Sequence, residues 1–99
     1  MADLHFAFTS TLWEYQGKSA WHFITVPPEI SANIKMLTNH RGFGSVRISA
    51  SINEVKWKTS LFPDAKSGCY FLPVKDAVRK SCMIGAGDDV AVSIEMDID

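Results

Sequence analysis

Cys69 and Cys82 are the only cysteines of the chain, and His5, His22 and His40 its three histidines. Metal binding by these residue types needs short paired spacings, because a single turn, strand or helix must bring two donors to the same ion. Neither Cys-x-x-Cys nor His-x-x-x-His occurs, so no metal site is expected and no cofactor is implied. Both cysteines stand among apolar neighbours and read as small core residues. Ser60, Cys69 and Cys82 lack the flanking motif that presents a nucleophile, and no histidine and carboxylate stand at a diagnostic spacing. His22, between Trp21 and Phe23, reads as a rim residue of a strand rather than a base. The residue types point away from an enzyme.

Basic side chains offer a different chemistry. Arg47, Lys56 and Lys58 fall on the outward parity of two adjacent strand-like segments, with Arg41 in the loop before them, and such a cluster suits nucleic-acid phosphates or another anion. The competing reading is a solvated strand face on which Glu54, Glu95 or Asp97 supplies cross-strand partners. Ten basic against eleven acidic side chains give a net charge of -1, which removes the long-range attraction that basic binders use. Nucleic acid is therefore the less favoured partner. The Arg41–Ser45 stretch, RGFGS, has the glycines of a phosphate loop but leads from helix to strand, the reverse of what a phosphate-cradling helix start requires. Gly42 and Gly44 read as a connector, with Phe43 folded back on the core.

Aromatic side chains are the third candidate. Trp13, Trp21, Trp57, Tyr15, Tyr70 and Phe62 are many for a small barrel; those that point inward fill the core, whereas Trp13 and Tyr15 share the outer parity of the first segment. An exposed pair there makes a patch for a partner protein, a second copy of the chain or a small ligand.

Period-two alternation supplies the elements that position these residues. Leu4, Phe6, Phe8, Ser10 and Leu12 alternate with His5, Ala7, Thr9, Thr11 and Trp13, and after a polar turn at 16–19 the aromatic, β-branched run 20–26 completes a hairpin. Pro27 and Pro28 stop that ladder and suit the first turn of a helix, with Ile30, Ile34 and Leu37 on one face and Glu29 near its positive end. Val46, Ile48, Ala50 and Ile52 point inward on the next strand, and Asn53-Glu54 turns the chain into Val55, Trp57, Thr59 and Leu61. A polar turn at 63–68 precedes a short strand closed by Pro73. The helix from Lys75 to about Met83 aligns Val78 with Cys82 and Asp76 with Lys80. Gly85 is expected in the left-handed conformation at its end. Gly87 and Asp88 form a tight turn, with the Asp88 carboxylate on backbone amides, into Val90, Val92, Ile94, Met96 and Ile98.

The order strand, proline, short helix, glycine loop, strand occurs twice, in "FITVPPEISANI…RGFGSVRISASI" and "YFLPVKDAVRKS…GAGDDVAVSIEM". The echo predicts a pseudo-twofold barrel with a helix at each end. The stretches "FAFTSTLWEYQGKSAWHFITVPPEI", "GSVRISASINEVKWKTSLFP" and "GCYFLPVKDAVRKSCMIGAGDDVAVSIEMD", in this order and spacing, resemble the bacterial and archaeal family catalogued as domain of unknown function DUF1905. That resemblance implies a small closed split β-barrel of about six strands with two short capping helices. The plan is shared with swapped-hairpin, AbrB-like regulators and antitoxins, which Leu72-Pro73-Val74, Val78-Arg79-Lys80 and Gly87-Asp88 resemble locally. Those regulators dimerise to complete one barrel, whereas this chain carries both halves.

At 99 residues and 46% hydrophobic, the chain is expected to close one core as a single, mainly β domain. No apolar run approaches the roughly 20 residues of a membrane span and neither terminus reads as a signal peptide, so a cytoplasmic domain without membrane contact is expected. The expected role is a binding or interaction module working through a protein partner or self-association. A DNA- or RNA-binding regulator is the alternative, and a small-molecule-binding or catalytic barrel a further one.

Overall fold

Alternating side chains force each strand to have one apolar and one polar face, and six such strands can hide their apolar faces by closing on themselves. The computed structural model describes residues 4–17, 20–38 and 44–97. Its elements are β1 (His5–Glu14), β2 (His22–Thr25), α1 (Pro28–Leu37), β3 (Val46–Ile52), β4 (Val55–Pro63), β5 (Tyr70–Pro73), α2 (Asp76–Cys82) and β6 (Asp89–Met96). The strands form a closed barrel in the order β1-β2-β5-β4-β3-β6, and every neighbouring pair is antiparallel. Leu12, Ile24, Ile48, Ala50, Ile52, Leu61, Leu72 and Ile94 fill the interior, with Phe6, Phe8, Val55 and Trp57 packed against it. Closure by β1 against β6 takes place within one chain. No helix among the described residues is long and apolar enough to cross a membrane.

The barrel order is unchanged when β1 is exchanged with β4, β2 with β5, and β3 with β6. The chain is thus a strand–strand–helix–strand unit used twice, joined by the turn at Asn53-Glu54, where both residues have positive φ (49° and 68°) as a two-residue hairpin turn requires. The exchange pairs His22 with Tyr70, Ile24 with Leu72 and Val26 with Val74. It carries one hydrogen bond onto another: the Val26 N–H donates to the Tyr70 carbonyl and the Val74 N–H to the His22 carbonyl, each at 2.9 Å. The faint repeat in sequence is therefore a repeat in backbone pairing.

Both helices lie where proline or a β-extended residue precedes them, and α1 buries less than its periodicity predicts. In α1 the fully buried side chains are Ile34 and Ser31, whose hydroxyl finds partners inside, while Leu37 in the last turn is exposed. In α2, Val78 and Cys82 face inward and Asp76 pairs with Lys80 at 3.1 Å. The left-handed residue that ends α2 is Met83 (φ 58°, ψ 47°), not Gly85. Gly85 instead gives its N–H to the Asp88 carboxylate at 2.8 Å.

Gly87 has φ +97°, and its N–H donates to the Leu12 carbonyl while the Leu12 N–H donates to the Asp88 carbonyl, pinning the turn to β1. A Cβ there would meet no atom within 4 Å, so the demand for glycine is purely a backbone one. Gly87→Val is expected to cost on the order of 1–3 kcal/mol. An unchanged melting temperature would show that the turn relaxes without penalty.

In the 64–68 turn, the Asp64 carboxylate accepts the Ser67 hydroxyl at 2.7 Å and the Ser67 N–H at 3.0 Å. The hydroxyl bond first, then the backbone bond, holds the Asp64 carboxyl below its ordinary pKa. A lowered folded-state pKa gives stability that is present above the ordinary carboxylate range and is lost as pH falls through the folded value. Ser67→Ala is therefore expected to move the Asp64 titration upward in an NMR pH series. The stability gap between variant and parent should close at the acid end, and a gap that widened there would contradict the assignment.

Candidate functional site

The barrel has a seam, and one residue type makes it. Val74 and Tyr70 direct their backbone groups at β2, so strand alternation turns those of Phe71 and Pro73 toward β4. Pro73 has no N–H to give, and the β4–β5 register stops at Phe62 opposite Phe71 and Pro63 opposite Tyr70. Beyond that point β4 parts from the β5–α2 connection. The opening is a cleft of about 670 Å³. Its apolar walls are Trp57 and Phe62 of β4 and Trp21 at the start of β2; its charged side chains are Lys58, Lys75, Asp76 and Arg79, with His22 beside them.

The pseudo-twofold exchange shows what is special about this seam. It pairs Arg79 with Ser31, and both act on equivalent carbonyls: the Ser31 hydroxyl donates to Val26 at 3.0 Å, and Arg79 Nη1 donates to Val74 at 2.6 Å. Ser31 is fully buried and also accepts the Tyr70 N–H at 3.0 Å, sewing α1 to β5. Arg79 is too long for that role; it lines the cleft with its side chain largely buried (15% exposed) and Nη2 on Asp76 at 3.3 Å. A smaller cleft of about 510 Å³ lies between α1 and the 67–69 turn, and among the described residues Lys35 is its only charged wall.

The outer face of β1, β2 and β5 carries a cluster of rings centred on Phe23. Trp13 packs on Phe23 and Phe71 with centroids 5.2 and 5.0 Å away, and its Nε1–H donates to Thr25 Oγ1 at 2.9 Å. Trp13 is thereby half-buried, and the exposed rings are Tyr15 (53%), Trp21 (53%) and Phe62 (45%). Trp13 and Tyr15 do share the outer parity, but the open surface lies at Tyr15 and then Trp21 and Phe62, which belong to the cleft. Trp21 stacks on Phe23 with the planes 12° apart, so one of its faces is held and the other is presented.

Of the basic residues marked by parity, Arg47, Lys56 and Lys58 are all exposed on the outer face of β3 and β4, and Lys58 alone among them reaches the cleft. Register places Ser49 between Glu95 and Lys58, and Ser51 between Ser93 and Lys56, so neither lysine has a carboxylate directly opposite. Arg41, with Gly42, Phe43, His40 and Ile98, lies outside the described residues. Lys75 and Arg79 were not marked as a site by sequence pattern; the one signal for Arg79 is its place opposite Ser31 in the internal repeat.

No group of three or more histidine, cysteine or acidic side chains with metal-binding geometry exists among the described residues. Cys69 and Cys82 are buried and free. Burial pushes the Cys82 thiol up, and its Sγ–H donates to the Ile52 carbonyl at 3.4 Å, a structural role. His22 Nδ1 lies 2.9 Å from the Ala20 carbonyl, which makes Nδ1 the protonated nitrogen of the neutral ring. No curated protein matches the chain. Residues 8–94 match the family model described as Domain of unknown function (DUF1905).

Proposed function

The chain belongs to the DUF1905 family, and from a domain with no assigned activity we propose a binding module, without catalysis, whose site is the seam cleft. The ligand has a flat apolar body for Trp21, Trp57 and Phe62 and an anionic group for Lys58, Lys75 and Arg79. The observation that carries this reading is the exchange of a buried Ser31, bonded to Val26 and to Tyr70 of β5, for an Arg79 that lines an open cleft at the equivalent position. A barrel that needed only stability would be served by serine in both halves, since an arginine at a partly exposed wall adds conformational entropy to be lost and a charge to be hydrated.

The test is titration of intrinsic tryptophan fluorescence and of the melting temperature with a flat aromatic carboxylate and a flat aromatic phosphate, against their uncharged parents. Binding stabilises by mass action, so a ligand at one hundred times its Kd contributes about 2.7 kcal/mol. Saturable shifts with the anions, weaker with the uncharged parents, support the cleft. Identical behaviour of anion and parent would remove the cationic part of the reading.

A second reading, docking of the aromatic face on another protein or another copy, is favoured by the exposure of Tyr15, Trp21 and Phe62 around one cluster. Sedimentation showing only monomer at high concentration would remove self-association from it.

A further inference from the structure

We infer that the ligand of the cleft is a nucleobase phosphate, a nucleotide unit; this rests on the binding reading above and specifies its ligand class. Three cations from β4, from the β5–α2 connection and from α2 line one cleft, namely Lys58, Lys75 and Arg79. The single carboxylate among them, Asp76, is already shared between Arg79 at 3.3 Å and Lys80 at 3.1 Å. That surplus exceeds what one carboxylate neutralises and suits the charge of a phosphate monoester, about −1.5 to −2 near neutral pH. Arg79 is held by Val74 and Asp76 through one N–H on each Nη, so these bonds do not use up the five donors of its guanidinium.

The apolar half of the cleft is built for a heterocycle rather than for an alkyl chain. Trp21 is fixed on one face by Phe23 and offers the other, and Trp57 lines the same cleft. Stacking on a fixed indole accepts any base.

The experiment is calorimetric and fluorescence titration of the full chain with adenosine 5′-monophosphate, inosine 5′-monophosphate, adenosine, inorganic phosphate, indole-3-acetate and a 5′-phosphorylated oligoadenylate. Adenosine 5′-monophosphate is expected to bind at least tenfold more tightly than adenosine or phosphate alone, and about as tightly as the inosine nucleotide, since stacking accepts either base. Lys58→Ser, on an exposed strand position that tolerates the change, should weaken it severalfold, and Arg79→Ser at least tenfold. Tighter binding of the oligoadenylate that Lys58→Ser also weakens identifies a strand end as the source of the nucleotide; equal or weaker binding identifies the free nucleotide. Binding of indole-3-acetate that Arg79→Ser abolishes, with no binding of the nucleotide, overturns the nucleobase phosphate and keeps the cleft as an anion site. Failure of every anion overturns both.

Discussion

Ile24→Ala is expected to destabilise the domain by about 2–5 kcal/mol, the range for removing a fully buried aliphatic side chain and leaving a cavity. In a domain of this size each kcal/mol lowers the melting temperature by roughly 4–8 °C, so the loss is large on any thermal melt. Ile24 is fully buried, and its register partners on the two neighbouring strands, Leu12 and Leu72, are fully buried as well. β2 is only four residues long, so side-chain packing rather than a long ladder holds it in the barrel. The strand also opens with His22 and follows Trp21, both in the cleft wall. Loss of Ile24 should therefore weaken ligand binding along with stability, whereas Ile24→Val, about 0.5–1.5 kcal/mol, should leave binding intact. A thermal shift of only a few degrees for the alanine variant would mean that the barrel collapses around the space, against the packing described.

Arg79→Ser is expected to change binding the most and the fold the least. Ser31, at the equivalent position, already satisfies the equivalent carbonyl through its hydroxyl, so the introduced serine is expected to take over the Val74 carbonyl and keep stability within about 1 kcal/mol of the parent. Arg79→Ala offers no donor. That variant strands an acceptor in a half-buried position and is expected to be less stable than the serine variant by about 1–3 kcal/mol. Anion binding should fall at least tenfold in both. Two variants with equal loss of binding but unequal stability separate the ligand-facing role of Arg79 from its structural one. Unchanged anion affinity in the serine variant would place the site elsewhere, and equal melting temperatures for the two would dismiss the equivalence with Ser31.

Local rules act through near neighbours, and what they govern was legible in the chain. Period-two alternation set which face of each strand is buried, from Leu12 in β1 to Ile94 in β6, because a strand of the wrong parity would turn its whole apolar set to water. Pro27-Pro28 placed the start of α1, Asn53-Glu54 the hairpin, and the spacing of Asp76 and Lys80 their ion pair. Even here the reach was limited: Met83 rather than Gly85 takes the left-handed position, where the Met83 and Ile84 N–H groups reach the Lys80 and Arg79 carbonyls, and Gly85 turns onto Asp88 instead.

The site follows from contacts between distant parts of the chain. Parity marks Trp13 and Tyr15 alike as outward, yet Phe23, across the β1–β2 hairpin, and Phe71, brought near by the pairing of β5 with β2, cover Trp13. Likewise Arg47, Lys56 and Lys58 share a face by alternation, but the cationic cleft takes only Lys58 from them and adds Lys75 and Arg79. β2 lies beside β5 and β3 beside β6, pairs far apart in the chain, so no spacing along the sequence measures the distance between their side chains. Which residues face inward and where the chain turns could be read from residue order alone, since both depend on backbone period and turn conformation. Which outward residues meet was settled by closure of the barrel, which sets strands from the two halves side by side and leaves a seam where Pro73 has no N–H to close it.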